Sequence, residues 1–202
     1  LSKISKSLSQ EQKKYGIFLC GGDTTFSNKL SFSITSVGYA KKIVYRNKAK
    51  LNDDIYVTGN LGDSFTGLQI LKNRLKVGKK IKHYFMQKYF LPDVQINLTK
   101  QLLNFANSSI DISDGIIADL EKMINRQSLS YTLIENDIPI SKHLIKLIKS
   151  KKLKKLNTIS NGDDYQILFT ANPLKSRIIL NTSKNLGIKI TKIGKINSGT
   201  KK

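Results

Sequence analysis

Strand-like and helix-like segments alternate along this chain, and that alternation limits its fold more than any other feature. Residues 30–37 alternate apolar and polar side chains, which is typical of a half-buried strand. Residues 116–124 place their apolar side chains on one helical stripe. The same criteria predict strands at residues 17–20, 55–58, 131–134, 165–169 and 188–193, and helices at residues 65–71, 94–105, 143–148 and 174–186. Such alternation predicts an α/β architecture of the α+β type.

A polar segment, Asn47–Asp54, separates a strand-rich start from the longer remainder. We therefore predict two parts: the remainder of an N-terminal sheet domain in residues 1–50, and a mixed α/β C-terminal domain in residues 51–202. A chain of 202 residues is long enough to bury a core of this kind.

The chain is strongly basic, with 35 Lys and Arg residues against 14 Asp and Glu residues. A basic surface is the electrostatic footprint of nucleic-acid binding. However, only four of the basic residues are Arg, the residue that makes bidentate contacts to bases, and the lysines are spread along the chain. A coding bias toward Lys, Ile and Asn explains this composition more simply. A module that binds nucleic acid or another polyanion is therefore the less favoured alternative, and strong salt-dependent affinity for DNA would support it.

The cysteine content and hydropathy indicate a soluble cytoplasmic protein with no membrane partner. A single cysteine, Cys20, excludes an internal disulfide and fits a reducing compartment. Its apolar neighbours predict that the thiol is buried. No apolar run reaches the length of a membrane span, and the first 14 residues lack the apolar core of a secretory signal.

Three short acidic motifs are the best candidates for chemistry: Gly21–Thr25, Asp111–Gly115 and Asn161–Tyr165. They hold five of the 14 acidic residues, each within a turn that contains glycine. Carboxylates held in this way are hard oxygen ligands, which Mg²⁺ uses when it binds the phosphates of a nucleotide.

The second motif has the clearest geometry. Asp111 and Ser113 are two residues apart in an extended segment, so they face the same side. Asp114 falls where the next helix begins, beside free backbone N–H groups that favour phosphate. The alternative is that Asp114 is only an N-cap, but capping does not explain Asp111.

The first and third motifs have simpler alternatives. Gly22 allows close backbone approach and Asp23 presents a carboxylate beside it, although Gly-Gly-Asp is also a plain turn. Asn161-Gly162 between apolar runs is typical of a hairpin turn, which would leave Asp163 without a special role.

Taken together, the three motifs resemble the thiamine-monophosphate kinase family, within the aminoimidazole-ribonucleotide-synthetase-like superfamily of ATP-using enzymes. The resemblance runs from about Gly16 to the C-terminus. It implies a phosphotransferase that uses ATP and Mg²⁺ to convert thiamine monophosphate to thiamine diphosphate, and a homodimer. The implied ligands are Asp23, Asp111 and Asp114 for magnesium, Gly22, Asp23, Arg46 and Ser113 for the nucleotide, and Asp163 for the substrate. No side chain is assigned a catalytic role, because phosphoryl transfer depends on positioning and charge neutralisation.

The sequence also departs from the family pattern. Asn161, Asp163 and Gln166 replace a glycine and two glutamates of the family's third motif. The family's N-terminal acidic motif has no counterpart before Leu1, and its C-terminal aromatic residue is missing after Ile196. We therefore expect a chain that is incomplete at both ends and essentially inactive alone. An inactive remnant, or a sibling enzyme of the superfamily that acts on another phosphate acceptor, remains an alternative.

Overall fold

A computed structural model describes residues 2–199, and the chain divides into two compact units, Leu1–Tyr39 and Ala40–Lys202. Among the described residues, the first unit contains one helix, α1 (Ser2–Tyr15), which buries none of its residues. The predicted division at residues 50/51 stays a prediction, and the first strand of the second unit begins at Asp54.

The second unit contains a five-stranded sheet and seven α-helices among the described residues. The strands are β1 (Asp54–Thr58), β2 (Ala106–Asp111), β3 (Leu129–Leu133), β4 (Ile167–Ala171) and β5 (Ile190–Ser198). The helices are α2 (Asp63–Leu71), α3 (Lys79–Phe90), α4 (Ile96–Leu102), α5 (Ile116–Ile124), α6 (Lys142–Lys149), α7 (Lys155–Ile159) and α8 (Ser176–Leu186). Two short 3₁₀ turns lie at Glu135–Asp137 and Pro173–Lys175.

The strand order in the sheet is β2-β4-β1-β5-β3, and all four pairings are antiparallel. The central strand β1 is buried along its whole length. Because successive strand residues point to opposite faces, Ile55 and Val57 join one core and Tyr56 joins the other. Tyr56 stacks on Phe169 of the neighbouring strand β4, with ring centroids 5.2 Å apart.

Helices cover both faces of the sheet. Helix α5 packs on the first face through its apolar stripe, which includes Leu120 and Met123. Helices α4 and α8 pack on the second face through Leu98, Leu102 and Ile179. A third core lies between α2, α3 and α6. The α+β class predicted from the sequence is therefore confirmed.

Two strands predicted near the N-terminus, at residues 17–20 and 30–37, are wrong. Residues 16–53 contain no helix or strand, and the apolar side chains of the two predicted segments, including Phe18 and Phe32, are exposed. A strand is stable only beside a partner backbone, and no strand of the described residues pairs with these segments. The burial predicted for Cys20 is wrong for the same reason, since its side chain is exposed.

None of the helices within residues 2–199 is both long and apolar enough to cross a membrane.

Candidate functional site

The second and third acidic motifs lie against each other, backbone to backbone. The amide of Asp163 donates to the carbonyl of Ser113 at 3.0 Å, and the amide of Tyr165 donates to the carbonyl of Ile112 at 2.8 Å. The amide of Ile112 in turn donates to the carbonyl of Gln166 at 2.8 Å. These bonds extend the β2–β4 pairing past the strand ends. Residues 111–115 and 161–165 therefore form one structure, called the double loop below.

Glycine is required at two contacts within this region. A Cβ atom on Gly162 would lie 1.7 Å from the carbonyl oxygen of Ser113. A Cβ atom on Gly115 would lie 2.2 Å from the carbonyl oxygen of Ser160, and Gly115 also has a φ of 114°. Any side chain at either position would push the two segments apart.

The hairpin interpretation of Asn161-Gly162 is wrong. The segment follows helix α7 rather than a strand, so no hairpin can form there. The backbone beyond it is strained, because Asp163 and Tyr165 have φ values of 65° and 50°. Strained non-glycine residues of this kind cluster at functional sites.

The N-cap interpretation of Asp114 is also wrong. Helix α5 has Gly115 at its N-cap, and no side chain caps it. Asp114 is exposed and forms an ion pair with Lys122, which also contacts Asp119. These hydrogen bonds to the two carboxylates raise the pKa of Lys122. Asp111, at the end of β2, is exposed as well.

Asp119 is absent from the residues predicted from sequence, although it organises this region. Its side chain is fully buried, and its Oδ2 atom accepts from the amides of Ser113, Asp114 and Gly115 at 2.9, 2.8 and 3.1 Å. Its Oδ1 atom accepts from Lys122 at 2.8 Å. The expectation of free amides before α5 is therefore wrong for these three groups.

The clue to Asp119 is present in the sequence. It lies three residues after Ile116 and four residues before Met123, so it shares the buried stripe of α5. A carboxylate on an apolar stripe must find hydrogen-bond donors when it is buried.

Asp164 joins the third motif to helix α2. Its carboxylate accepts from the amides of Gly62 at 2.7 Å and of Ser64 at 3.3 Å. Burial raises the pKa of Asp164 to about 7, although these two bonds oppose the shift. Next along the chain, the Gln166 amide oxygen accepts from the hydroxyl of Thr58 at 2.7 Å. The Asp164 side chain thus fixes the third motif to α2, and the Gln166 side chain fixes the residue just after the motif to the end of β1.

Arg46 lies beside the edge strand that leads into the second motif. The carbonyl of its neighbour Tyr45 accepts from the amide of Ser109 in β2, at 3.3 Å. Ser109 is two residues before Asp111, and the Arg46 side chain is exposed.

The first motif belongs to the first unit. Gly22 and Asp23 lie in the exposed segment after α1. The Oδ1 atom of Asp23 accepts from the amide of Thr24 at 2.7 Å.

The double loop therefore brings together four of the predicted site residues: Asp111, Ser113, Asp114 and Asp163. Within residues 2–199, no three or more His, Cys, Asp or Glu side chains lie close enough together to hold a metal ion by themselves. Magnesium is commonly bound by one or two carboxylates together with substrate phosphates and waters. Two exposed carboxylates, Asp111 and Asp114, fit that mode of binding.

No protein-family model matches the chain. It is 34% identical over 200 residues to the thiamine-monophosphate kinase of Haemophilus influenzae, covering 98% of this chain and 60% of that protein. It is 36% identical over 205 residues to the thiamine-monophosphate kinase of Buchnera aphidicola subsp. Schizaphis graminum, covering 100% of this chain and 62% of that protein. The chain thus spans about 60% of the length of these curated relatives.

Solved structures agree with the sequence relatives. The crystal structure of thiamine-monophosphate kinase from Stenotrophomonas maltophilia K279a superposes with a TM-score of 0.71 at 26% identity, covering 78% of this chain and 51% of that one. A structure of AaThiL complexed with AMPPCP and TMP superposes with a TM-score of 0.67 at 28% identity, covering 77% of this chain and 48% of that one.

Proposed function

Because this chain is related by sequence and fold to the thiamine-monophosphate kinases, we propose that its double loop belongs to an ATP- and magnesium-dependent phosphotransferase site. The reaction is the phosphorylation of thiamine monophosphate to thiamine diphosphate. The observation that carries this proposal is the backbone pairing of the second and third motifs, which brings their carboxylates to one end of β2 and β4. The related structure with AMPPCP, a methylene analogue of ATP, and TMP supports it.

The side chains of the double loop have three different binding roles, for the metal, the nucleotide and the phosphate acceptor. Asp111 and Asp114 are the metal ligands, and the hydroxyl of Ser113, which lies between them in sequence, contacts the nucleotide. Arg46, beside the same edge strand, adds positive charge near the nucleotide. Asp163 contacts the thiamine phosphate.

In the first unit, Gly22 and Asp23 have the roles that the family resemblance implies, nucleotide binding for both and magnesium binding for Asp23. The exposed position of Asp23 leaves its carboxylate accessible to a metal.

The reaction needs positioning and neutralisation of charge rather than a covalent nucleophile. A phosphate oxygen of thiamine monophosphate attacks the γ-phosphorus of ATP, and ADP leaves. Magnesium, when bound, supplies positive charge to the phosphates. The chain holds Asp111 and Asp114 on a hydrogen-bonded loop and adds the guanidinium of Arg46. We further propose a cytoplasmic homodimer, in line with the family resemblance.

The metal role is tested with two variants, Asp111→Asn and Asp114→Asn. Each should lose magnesium-dependent binding of AMPPCP in a calorimetric titration and should keep its unfolding midpoint, because both carboxylates are exposed. Asp137→Asn, an exposed position in a 3₁₀ turn, is the matched control and should bind normally. Unchanged AMPPCP affinity in both test variants would exclude the metal role.

The acceptor role of Asp163 is tested separately. Asp163→Asn should weaken binding of thiamine monophosphate while leaving binding of magnesium and AMPPCP close to that of the unmodified chain. If both affinities fall together, Asp163 acts on the shape of the double loop and not on the acceptor.

A further inference from the structure

We propose that Asp119 is a positioning residue, which fixes the backbone of residues 113–115 so that Asp111, Ser113 and Asp114 face the ligand. The inference rests on the proposed function, since it concerns the same site. Asp119 itself is no ligand, because its side chain is fully buried behind the loop.

The geometry of the three amides carries the argument. The N–H groups of Ser113, Asp114 and Gly115 are consecutive, and all three donate to the same oxygen, Oδ2 of Asp119. Consecutive amides that converge in this way form an anion-binding concavity. In many proteins a phosphate fills such a concavity. Here the chain's own carboxylate fills it.

The occupied concavity changes the chemistry available to the loop. An incoming phosphate cannot use these three amides while Asp119 holds them. The loop instead presents two exposed carboxylates, Asp111 and Asp114, on its outer side. It is therefore a cation-binding loop, and it binds phosphate through a metal rather than through its backbone.

Asp119 also orders the loop before any ligand arrives. Its second oxygen, Oδ1, accepts from Lys122, which in turn contacts Asp114. Both oxygens of the carboxylate are thus engaged. A loop that is already ordered loses less conformational entropy when it binds its ligand.

The experiment compares Asp119→Asn with the unmodified chain. The asparagine keeps one acceptor oxygen but loses the charge that holds three amides and Lys122. We expect at least a tenfold loss of AMPPCP affinity in the presence of magnesium and no change in its absence. Hydrogen exchange of the amides of residues 113–115 should accelerate, while exchange in β1 and β4 stays slow.

The matched control is Asp53→Asn. Asp53 is also buried, and its carboxylate accepts from the amide of Lys50 and from the side chain of Asn107, at the opposite end of β2. It should lose stability comparably, yet keep the magnesium-dependent affinity. A general structural effect would lower that affinity in both variants and would overturn the inference.

Two outcomes separate this inference from the proposed function. If the unmodified chain shows no magnesium-dependent AMPPCP binding, the proposed function fails. If it binds and Asp119→Asn binds equally well, only the positioning role fails. Should Asp119→Asn not fold, hydrogen exchange of the ligand-free unmodified chain decides. Slow exchange at residues 113–115 supports the role, and exchange as fast as in the exposed segment 17–40 refutes it.

Discussion

Replacing Gly162 with alanine should separate the two halves of the double loop. The new Cβ atom would lie 1.7 Å from the carbonyl oxygen of Ser113 and 2.8 Å from the Cα atom of Asp114. Both neighbours are backbone atoms, so no flexible side chain can move aside. Real Cβ contacts essentially never fall below 3.0 Å, so the loops must move apart by at least about 1.3 Å.

This movement lowers the free energy of unfolding in two ways, through overpacking and through the loss of a backbone hydrogen bond. Overpacking of a well-packed region costs about 1–3 kcal/mol. Losing the bond from the Asp163 amide to the Ser113 carbonyl adds about 1 kcal/mol. The free energy of unfolding should therefore fall by about 2–4 kcal/mol. A displacement of about 1 Å between Asp163 and Asp114 would also reduce any phosphoryl transfer roughly a hundredfold.

Urea unfolding of Gly162→Ala and of Gly78→Ala measures the change in the free energy of unfolding. Gly78 is the matched control, because it has a φ of −64° and no atom lies within 4 Å of the point that a Cβ atom would occupy there. Its replacement should change stability by less than about 1 kcal/mol, because alanine restricts the unfolded chain but is a poorer N-cap of α3 than glycine. If Gly162→Ala unfolds within about 0.5 kcal/mol of the unmodified chain, the argument from backbone contact is refuted.

Three further predictions concern charge and capping. Lys122→Met should raise the affinity for magnesium with AMPPCP several-fold at low salt, because it removes a cation from Asp114 while the three backbone amides bound to Asp119 Oδ2 still hold the loop; calorimetry against Lys100→Met checks it. Burial raises the pKa of Asp164 from 3.8 to about 7, so the folded chain retains a proton that the unfolded chain releases. The free energy of unfolding should consequently fall as the pH rises from about 4 to about 7. Asp164→Asn should remove most of this pH dependence of the free energy of unfolding, measured by urea unfolding at several pH values between about 4 and about 7. An equal pH dependence in the two proteins would contradict the prediction. Ser141→Ala should cost about 2 kcal/mol, because the Ser141 hydroxyl caps α6 and donates to buried Asp63. Ser150→Ala, at the exposed end of α6, should cost less than about 1 kcal/mol in the same thermal-unfolding measurement.

The fold of the second unit was predictable wherever local periodicity matched burial. Helix α5 has the predicted bounds, residues 116–124, because its apolar stripe is buried and Gly115 is its N-cap. Strand β1 was predicted because its apolar run is short and lies before a glycine turn. Helix α3 was missed, since only Phe85 of its twelve residues is buried and its aromatic and lysine side chains form no clear stripe.

Strand β2 was missed as a strand for a different reason. Its residues, Ala106–Asp111, are mostly small and polar and have little intrinsic β preference. Hydrogen bonding to β4, some 60 residues away in sequence, makes it a strand. The same long-range pairing joins the second and third motifs. The sequence therefore identified both loops as candidate site segments but could not show that they contact each other.

The carboxylates of the double-loop region fall into two groups that face in opposite directions. Asp119 and Asp164 face inward and accept backbone amides, three and two respectively, so they set the shape of the site. Asp111 and Asp114 face solvent. They are exposed carboxylates in a chain of net charge +21, which is rich in lysine side chains. Under the proposed magnesium role, the buried scaffold beneath Asp111 and Asp114 keeps the two carboxylates in position for a divalent ion. Substitutions of the inward pair should therefore change stability and amide exchange first, and substitutions of the outward pair should change ligand affinity with little effect on stability.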